Sequence, residues 1–255
     1  MKLNSSDFLG IIPARFNSTR LKGKPLMKIG EKTMIEHVYS RASEVLDNLV
    51  VATDDKNIFD TVNNFGGNVV LTEKDHLNGT SRCLEAVDIW SKELEKSFNY
   101  IINIQGDEPL LHEDHIIKVM ECFNDSKTEF ATIAQKLNSS DNLPKDKVFL
   151  VKDTFNFALY FSRYPIPFVR EDEIKEDANE FHQHIGIYGY TIIALEKFQQ
   201  LKPSKLEINE KLEQLRWLEN GGKIKVGTTI YPSFPVDTLE DLISIRKVYA
   251  SKGHL

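Results

Sequence analysis

Three groups of polar residues carry the inventory of phosphoryl chemistry. The first is the run IIPARFNSTRLKGKPL at 11–26, where Arg15, Arg20, Lys22 and Lys24 are interleaved with Pro, Ser, Thr and Gly rather than with acids. Cations spaced in this way repel one another, and a bound anion relieves the repulsion. The guanidiniums of Arg15 and Arg20 suit bidentate contacts to phosphate, and Lys24 suits a point charge on it. The run contains neither G-x-x-x-x-G-K-[ST] nor G-x-G-x-x-G, so it is neither a P-loop nor a dinucleotide fingerprint. Solvation of a polar turn is the plainer account. The second group is QGDEP at 105–109, where Asp107 leaves an apolar run just after a glycine that permits close backbone approach. The third is Asp237, far along the chain in FPVDTLED at 234–241. A single Asp after a strand is most often a helix cap, and the segment 237–240 fits one. Mg²⁺ takes one or two carboxylates and completes its shell with phosphate oxygens and water. Asp107 and Asp237 across one crevice would make such a site, and only the fold can bring them together.

Two further clusters suit recognition. The stretch HLNGTSR at 76–82 offers backbone donors at Gly79, an amide at Asn78, hydroxyls at Thr80 and Ser81, and the Arg82 guanidinium. That inventory can read the polar edge of a base or sugar, and a plain turn with a helix cap accounts for it equally well. Arg163, His184, Tyr188 and Gln214 form a set suited to an acidic, polyhydroxylated ligand. His182 and His184 would share one strand face, but no third metal ligand lies near them. Cys83 and Cys122 stand in no metal-ligand spacing and sit in apolar helical patterns, so buried thiols are expected.

The elements that must position these groups follow from hydrophobic periodicity. Apolar runs at 8–12, 48–53, 69–72 and 100–105 predict strands. Between them, Thr33 caps a helical pattern through Met34, Ile35, Val38, Ala42 and Leu46. A second helix at 55–65 is closed by Gly66 and Gly67, a third follows the 76–82 stretch, and a fourth occupies 116–123. Strands alternating with helices imply a doubly wound, mostly parallel sheet covered on both faces. Ligands bind such sheets at the carboxyl ends of the strands, where the cationic run and Asp107 stand. From about residue 130 the pattern changes to strands at 131–137, 148–152, 157–162, 185–193 and 223–230. A helix at 206–220 is stopped by Gly221 and Gly222, and a last helix follows residue 241. The charged run 170–180 reads as a solvated loop. The expected fold is therefore α/β: one domain over 1–255, its sheet completed by the later strands, with a small mixed α+β lobe.

Composition sets limits. The chain has 255 residues, 27% of them charged, and a formal net charge of −6. A general nucleic-acid binder would be basic overall, so the cations at 11–26 are local and no nucleic-acid partner is expected. No run approaches the roughly 18 apolar residues of a membrane span, and the polar start lacks a signal-peptide core. A cytoplasmic protein with no membrane partner is expected.

Several short motifs occur in a fixed order: IPAR at 12–15, STRL at 18–21, GKPL at 23–26, ATDD at 52–55, NGT at 78–80, NIQGDEP at 103–109, ALYFSR at 158–163, HIGIYGY at 184–190, KLEQLR at 211–216 and VDT at 236–238. Together they resemble the 3-deoxy-manno-octulosonate (Kdo) cytidylyltransferase family, also called CMP-Kdo synthetases, over nearly the whole chain. The resemblance implies a nucleotide-diphospho-sugar transferase-like fold. It implies the reaction of CTP with Kdo to give CMP-Kdo and pyrophosphate for lipopolysaccharide biosynthesis, with Mg²⁺ as cofactor. Arg15, Lys24, Asp107 and Asp237 would be catalytic, the two aspartates as metal ligands. Pro13, Ala14, Arg15, Ser18, Lys24, Thr53, Asp54, Asn78, Gly79, Thr80, Arg82 and Gln105 would meet the nucleotide. Gln105, Arg163, His184, Tyr188, Glu213 and Gln214 would surround the sugar acid. The resemblance makes 1–125 the nucleotide half and 126–255 the sugar-binding half, through which a homodimer forms. The sequence departs from the family pattern at Lys22, where a Pro is usual, and at Asn78 and Ser81, where Ser and an acid are usual. Another acidic sugar (8-amino Kdo or a sialic-type acid) and a non-catalytic nucleotide sensor are the alternatives.

Overall fold

In a computed structural model of the protein, the described residues are 3–17, 20–74, 76, 79–137, 143, 147–168 and 181–251. The 170–180 run, Ser18 and Asn78 lie outside them. The chain groups into two units. The first holds Asn4–Ile116 and Ser233–Leu255, and the second holds Met1–Leu3 and Ile117–Pro232. The two units divide near residue 117, and the last segment belongs with the first unit.

The first unit opens with β1 (Phe8–Ala14), then a small hairpin of β2 (Lys28–Ile29) and β3 (Lys32–Thr33). It continues through α1 (Met34–Ser43), β4 (Leu49–Thr53), α2 (Lys56–Asn64), β5 (Val69–Leu71), α3 (Gly79–Glu93) and β6 (Tyr100–Asn103). Next comes α4 (Glu113–Cys122), in which the division falls. The strands run parallel in the order β6-β1-β4-β5, with Ile11 beside Val50 and Leu9 beside Ile101. Ile11, Ile12, Val50, Val51, Ile101 and Ile102 are all fully buried, as a sheet covered on both faces requires. The capping residues act as their types predict. Thr33 accepts a hydrogen bond from the Glu36 amide at the start of α1, and Asp55 accepts from the Asn57 and Ile58 amides at the start of α2.

The second unit contains β7 (Phe130–Leu137), β8 (Phe149–Lys152), β9 (Ala158–Ser162), β10 (Phe181–Thr191), α5 (Ile192–Gln200), α6 (Lys205–Glu210), α7 (Gln214–Glu219) and β11 (Lys225–Thr229). Here β7 lies between antiparallel β10 and parallel β11, and β8 pairs antiparallel with both β10 and β9. Phe130 anchors an aromatic core, its ring centroid 4.4 Å from that of Tyr190 and 5.8 Å from that of Trp217. Cys83 and Cys122 are buried free thiols, and burial pushes Cys122 up to about 12. The chain then re-enters the first unit as α8 (Leu239–Ser251).

The α/β class and the mostly parallel sheet agree with the sequence pattern, and the second unit holds the antiparallel pairs β10–β7, β10–β8 and β8–β9. Two elements differ. The strand expected at 185–193 begins at Phe181 and gives way at Ile192 to α5, because the Thr191 hydroxyl accepts from the Ala194 amide and caps a helix. The helix expected at 206–220 is broken into α6 and α7 at Lys211, whose φ is +55°. There Arg163 takes two carbonyls, donating from Nε to Glu210 O at 2.6 Å and from Nη2 to Lys211 O at 3.2 Å. Leucine periodicity carries no trace of that distant guanidinium.

Candidate active site

The cationic run turns where glycine allows it. Gly23 sits at φ +70° and donates its amide to Phe16 O at 2.9 Å. A short 3-10 turn, Lys24–Leu26, follows and sets Lys24 beside the end of β1. Gly106 brings the chain leaving β6 against the same strand end; a Cβ there would lie 3.2 Å from Pro13 O. Gly79 opens α3 against Pro13, where a Cβ would lie 3.3 Å from the ring.

The returning segment is tied down at several points. The Val236 amide donates to Asp107 O at 2.9 Å. Glu108, buried, accepts from the Ser233 hydroxyl and, at 3.2 Å, from the Phe234 amide. Asp241 accepts from the amides of Asp237 at 3.0 Å and Thr238 at 2.8 Å. These bonds fix where Asp237 points. Lys24 Nζ stands 2.6 Å from Asp107 Oδ2 and 3.3 Å from Asp237 Oδ1, and Arg20 Nη2 stands 2.9 Å from the same Asp237 oxygen. Two carboxylates from distant parts of the sequence thus converge on one cationic group.

Around them lies a cavity of about 220 Å³ lined by Pro13, Ala14, Arg15, Arg20, Lys24, Pro25, His76, Gly79, Arg82, Gln105, Gly106, Asp107 and Asp237. It therefore collects Arg20 and nine of the residues nominated through the family resemblance. Thr53, Asp54 and Thr80 are not among its lining. Thr53 is fully buried, and its hydroxyl accepts from the Asp55 amide at 3.2 Å. Asp54 meets the cavity wall through Arg82, at 3.4 Å. Arg82 is buried, with Nη1 donating to the Thr72 hydroxyl and to Glu73 O. Its guanidinium thus braces the wall of the cavity that it lines.

Sequence reasoning misses one participant, His76, and does not foresee the partner of Arg20, which the structure places on Asp237. His76 lines the cavity, its ring held by Glu85 at Nε2 and by the Ser81 hydroxyl at 3.1 Å from Nδ1. The spacing of Ser81 and Glu85 on one face of α3 was the available signal.

The oxygen donors suit a hard divalent cation. Among the described residues no group of three or more His, Cys, Asp or Glu side chains could hold a metal ion. Asp107 and Asp237 provide two converging carboxylates, the number Mg²⁺ takes when phosphates and water supply the remaining ligands. The donor set therefore fits Mg²⁺ bound together with a polyphosphate.

The second unit gathers the residues nominated for the sugar acid, apart from Gln105, which belongs to the first. The buried Tyr188 hydroxyl donates to Gln214 Oε1 at 3.2 Å, and burial raises its pKa, with the Glu213 charge adding to the effect. The His184 ring packs between Phe161 and Tyr188, with centroids 5.1 and 5.5 Å away. Burial in these surroundings lowers its pKa to about 3, although part of the ring edge still meets solvent. Gln214 is 1% exposed, and Arg163 is exposed and pinned to residues 210 and 211. Glu213 is the N-cap residue of α7.

A parallel α/β unit with a cationic loop and converging carboxylates at its strand ends is the architecture of a nucleotidyl-transferring enzyme. The chain matches the cytidylyltransferase family over residues 9–224, which fixes the class as cytidylyltransferase. The 3-deoxy-manno-octulosonate cytidylyltransferase of Parabacteroides distasonis is 44% identical over 244 residues, covering 92% of this chain and 95% of the relative. That of Thermodesulfovibrio yellowstonii is 45% identical, covering 91% and 94%. A solved structure of CMP:2-keto-3-deoxy-manno-octonic acid synthetase complexed with CTP superposes with a TM-score of 0.87 at 34% identity, covering 97% of this chain and all of that one. The chain belongs to the 3-deoxy-manno-octulosonate cytidylyltransferase family.

Proposed function

We propose that the protein transfers the cytidylyl group of CTP to the anomeric hydroxyl of Kdo, forming CMP-Kdo for lipopolysaccharide biosynthesis and releasing pyrophosphate. The observation that carries this reading is the convergence of Asp107 and Asp237 on Lys24 beside the cationic loop, in a chain of this family.

Transfer of this kind needs positioning and charge neutralisation more than covalent catalysis. Arg15 and Lys24 hold the triphosphate and stabilise the charge that develops as pyrophosphate departs. Arg20 steadies Asp237. Gly79 and Arg82, with Pro13 and Ala14, form the wall that receives the cytidine, and Gln105 stands at the edge of the same cavity. Asp107 and Asp237 would hold Mg²⁺, which when bound neutralises phosphate charge and acidifies the attacking hydroxyl. Arg163, His184, Tyr188, Glu213 and Gln214 receive the sugar acid. The same reading makes the protein cytoplasmic and homodimeric. Exposed apolar side chains of the second unit, Leu159 and Phe168 at 62% and 86%, support a further partner surface there, and light scattering of the purified protein reads its mass.

Pyrophosphate release measured with CTP and a panel of Kdo, 8-amino Kdo and a sialic acid tests the reaction. Kdo is expected to give the fastest release, and EDTA is expected to abolish it with Mg²⁺ restoring it. Preference for another sugar in the panel would reassign the substrate. CTP binding without product from any sugar would leave a nucleotide sensor as the surviving account.

A further inference from the structure

Thr132 is fully buried in β7, and its hydroxyl faces three partners. They are Ile187 O at 2.8 Å, Ile185 O at 3.3 Å and His184 Nε2 at 2.9 Å. The crowding arises from β10, whose register slips between Ile185 and Tyr188 so that Thr132 pairs with Tyr188. The bulge turns two carbonyls of one strand onto a single side chain.

A hydroxyl has one proton, and carbonyl oxygens only accept. The Thr132 proton therefore goes to a carbonyl, Ile187 O being the nearer, and the hydroxyl has only lone pairs left for His184. Nε2 must then be the donor. A neutral imidazole carries one N–H, so Nδ1 keeps an open lone pair. His184 is neutral here, since burial holds its pKa far below the ordinary value, and Nδ1 has no partner among the described residues.

We propose that Thr132 is a positioning residue that locks His184 in its Nε2–H tautomer and so presents Nδ1 as an acceptor for a hydroxyl of the sugar substrate. The proposal rests on the reading that His184 meets the sugar acid. Next to it, Tyr188 donates to the carbonyl oxygen of the Gln214 side chain and turns the amide's NH₂ outward from that bond. That nitrogen is buried and has no hydrogen-bond partner among the described residues. One acceptor and one donor, both uncharged, therefore stand ready for a polyhydroxylated ligand. An unmet buried donor is costly, so a ligand that satisfies it is favoured over one that does not.

The test uses the full-length protein labelled with ¹⁵N-histidine. Ring nitrogen shifts are expected to show His184 as the Nε2–H tautomer in the wild type and in Thr132→Ser, and a shift toward Nδ1–H in Thr132→Val, which keeps the shape and loses the hydroxyl. KM for the sugar acid is expected to rise about tenfold in Thr132→Val, with KM for CTP unchanged and Thr132→Ser near wild type. An Nδ1–H tautomer in the wild type overturns the proposal without any variant. An unchanged tautomer in Thr132→Val overturns the role of Thr132. A changed tautomer with an unchanged sugar KM overturns the assignment of His184 to the sugar, and leaves the CTP chemistry of the first unit untouched.

Discussion

Lys24 occupies the point where the two carboxylates meet, and in the proposed reaction it would link the polyphosphate to the metal. Removing either half of that arrangement should be costly. Asp107→Asn and Lys24→Ala are each expected to lower kcat by ~10²–10³ with the thermal midpoint little changed, since a preorganised charged group contributes about that much. Near-normal turnover in either variant would remove the basis for the assignment. Lys22 is the internal control. It is exposed and lies over the Phe16 ring at 5.8 Å, outside the cavity lining, so Lys22→Ala should leave turnover within about twofold. Residue chemistry was legible here to a definite depth. Arg15, Lys24, Asp107 and Asp237 were nominated by type and by position at strand ends, and all four line the cavity. Their pairing was not legible, because Lys24 meets Asp107 and Asp237 across 83 and 213 residues and spacing at that range carries no geometry. Nor does a guanidinium's type reveal how it will be shared. Arg82 gives part of its donor capacity to Thr72, Glu73 and Asp54.

Among the elements, α8 has the most direct bearing on the site. Asp241 accepts from the amides of Asp237 and Thr238 and from the Thr238 hydroxyl, while Thr238 accepts from the Asp241 amide at 3.2 Å. This reciprocal cap ends the loop that carries Asp237. Asp241→Ala should cost about 1 kcal/mol of stability, the usual value of a lost cap. It should also raise the Mg²⁺ concentration needed for half-maximal rate, because Asp237 loses its backbone anchor. Titration of rate against Mg²⁺, beside an unfolding curve, separates the two effects. A stability loss with an unchanged Mg²⁺ requirement would show the cap to be purely structural. Elements were legible where one local pattern decided them. Thr33 and Asp55 cap their helices as expected, whereas Ile192 and Ile193 read as strand because β-branched residues favour it. The break at Lys211 is hidden because Arg163, which takes the carbonyls there, lies in a distant part of the chain, just after β9.

At the scale of the whole molecule, buried ionisable groups make stability depend on pH. His184 binds its proton at about 6.5 when unfolded and at about 3 when folded. The unfolded chain therefore holds more protons across that interval, and stability falls as pH falls from about 6.5 toward 3. His37, lowered mainly by burial, acts in the same sense. Glu207 does too: burial raises its pKa, but the hydrogen bonds from Arg216 and the Ser204 amide, together with the Arg216 charge, outweigh this and hold it low, so its contribution is lost as the carboxylate protonates. Denaturant unfolding at pH 6.5 and pH 5 should differ by up to about 2 kcal/mol from His184 alone, and His184→Gln should flatten the slope. A slope unchanged by that substitution would mean the ring titrates freely in the folded protein. The overall class was the most legible property, since alternating strands and helices admit few arrangements. The return of the last segment to the first unit was not legible. It is fixed by buried contacts such as those of Val236 and Leu242 with Leu21 and Ile29, which no local pattern records.

That return has a consequence for how the molecule is made. The first unit cannot acquire Asp237 or α8 until the whole of Ile117–Pro232 has been synthesised. At ordinary translation speeds this is a delay of roughly ten seconds. During that interval Leu21, Ile29 and Met34 lack Val236, Leu242 and Ile245, the residues that share their buried cluster in the finished fold. The unit that carries the chemistry is begun first and finished last.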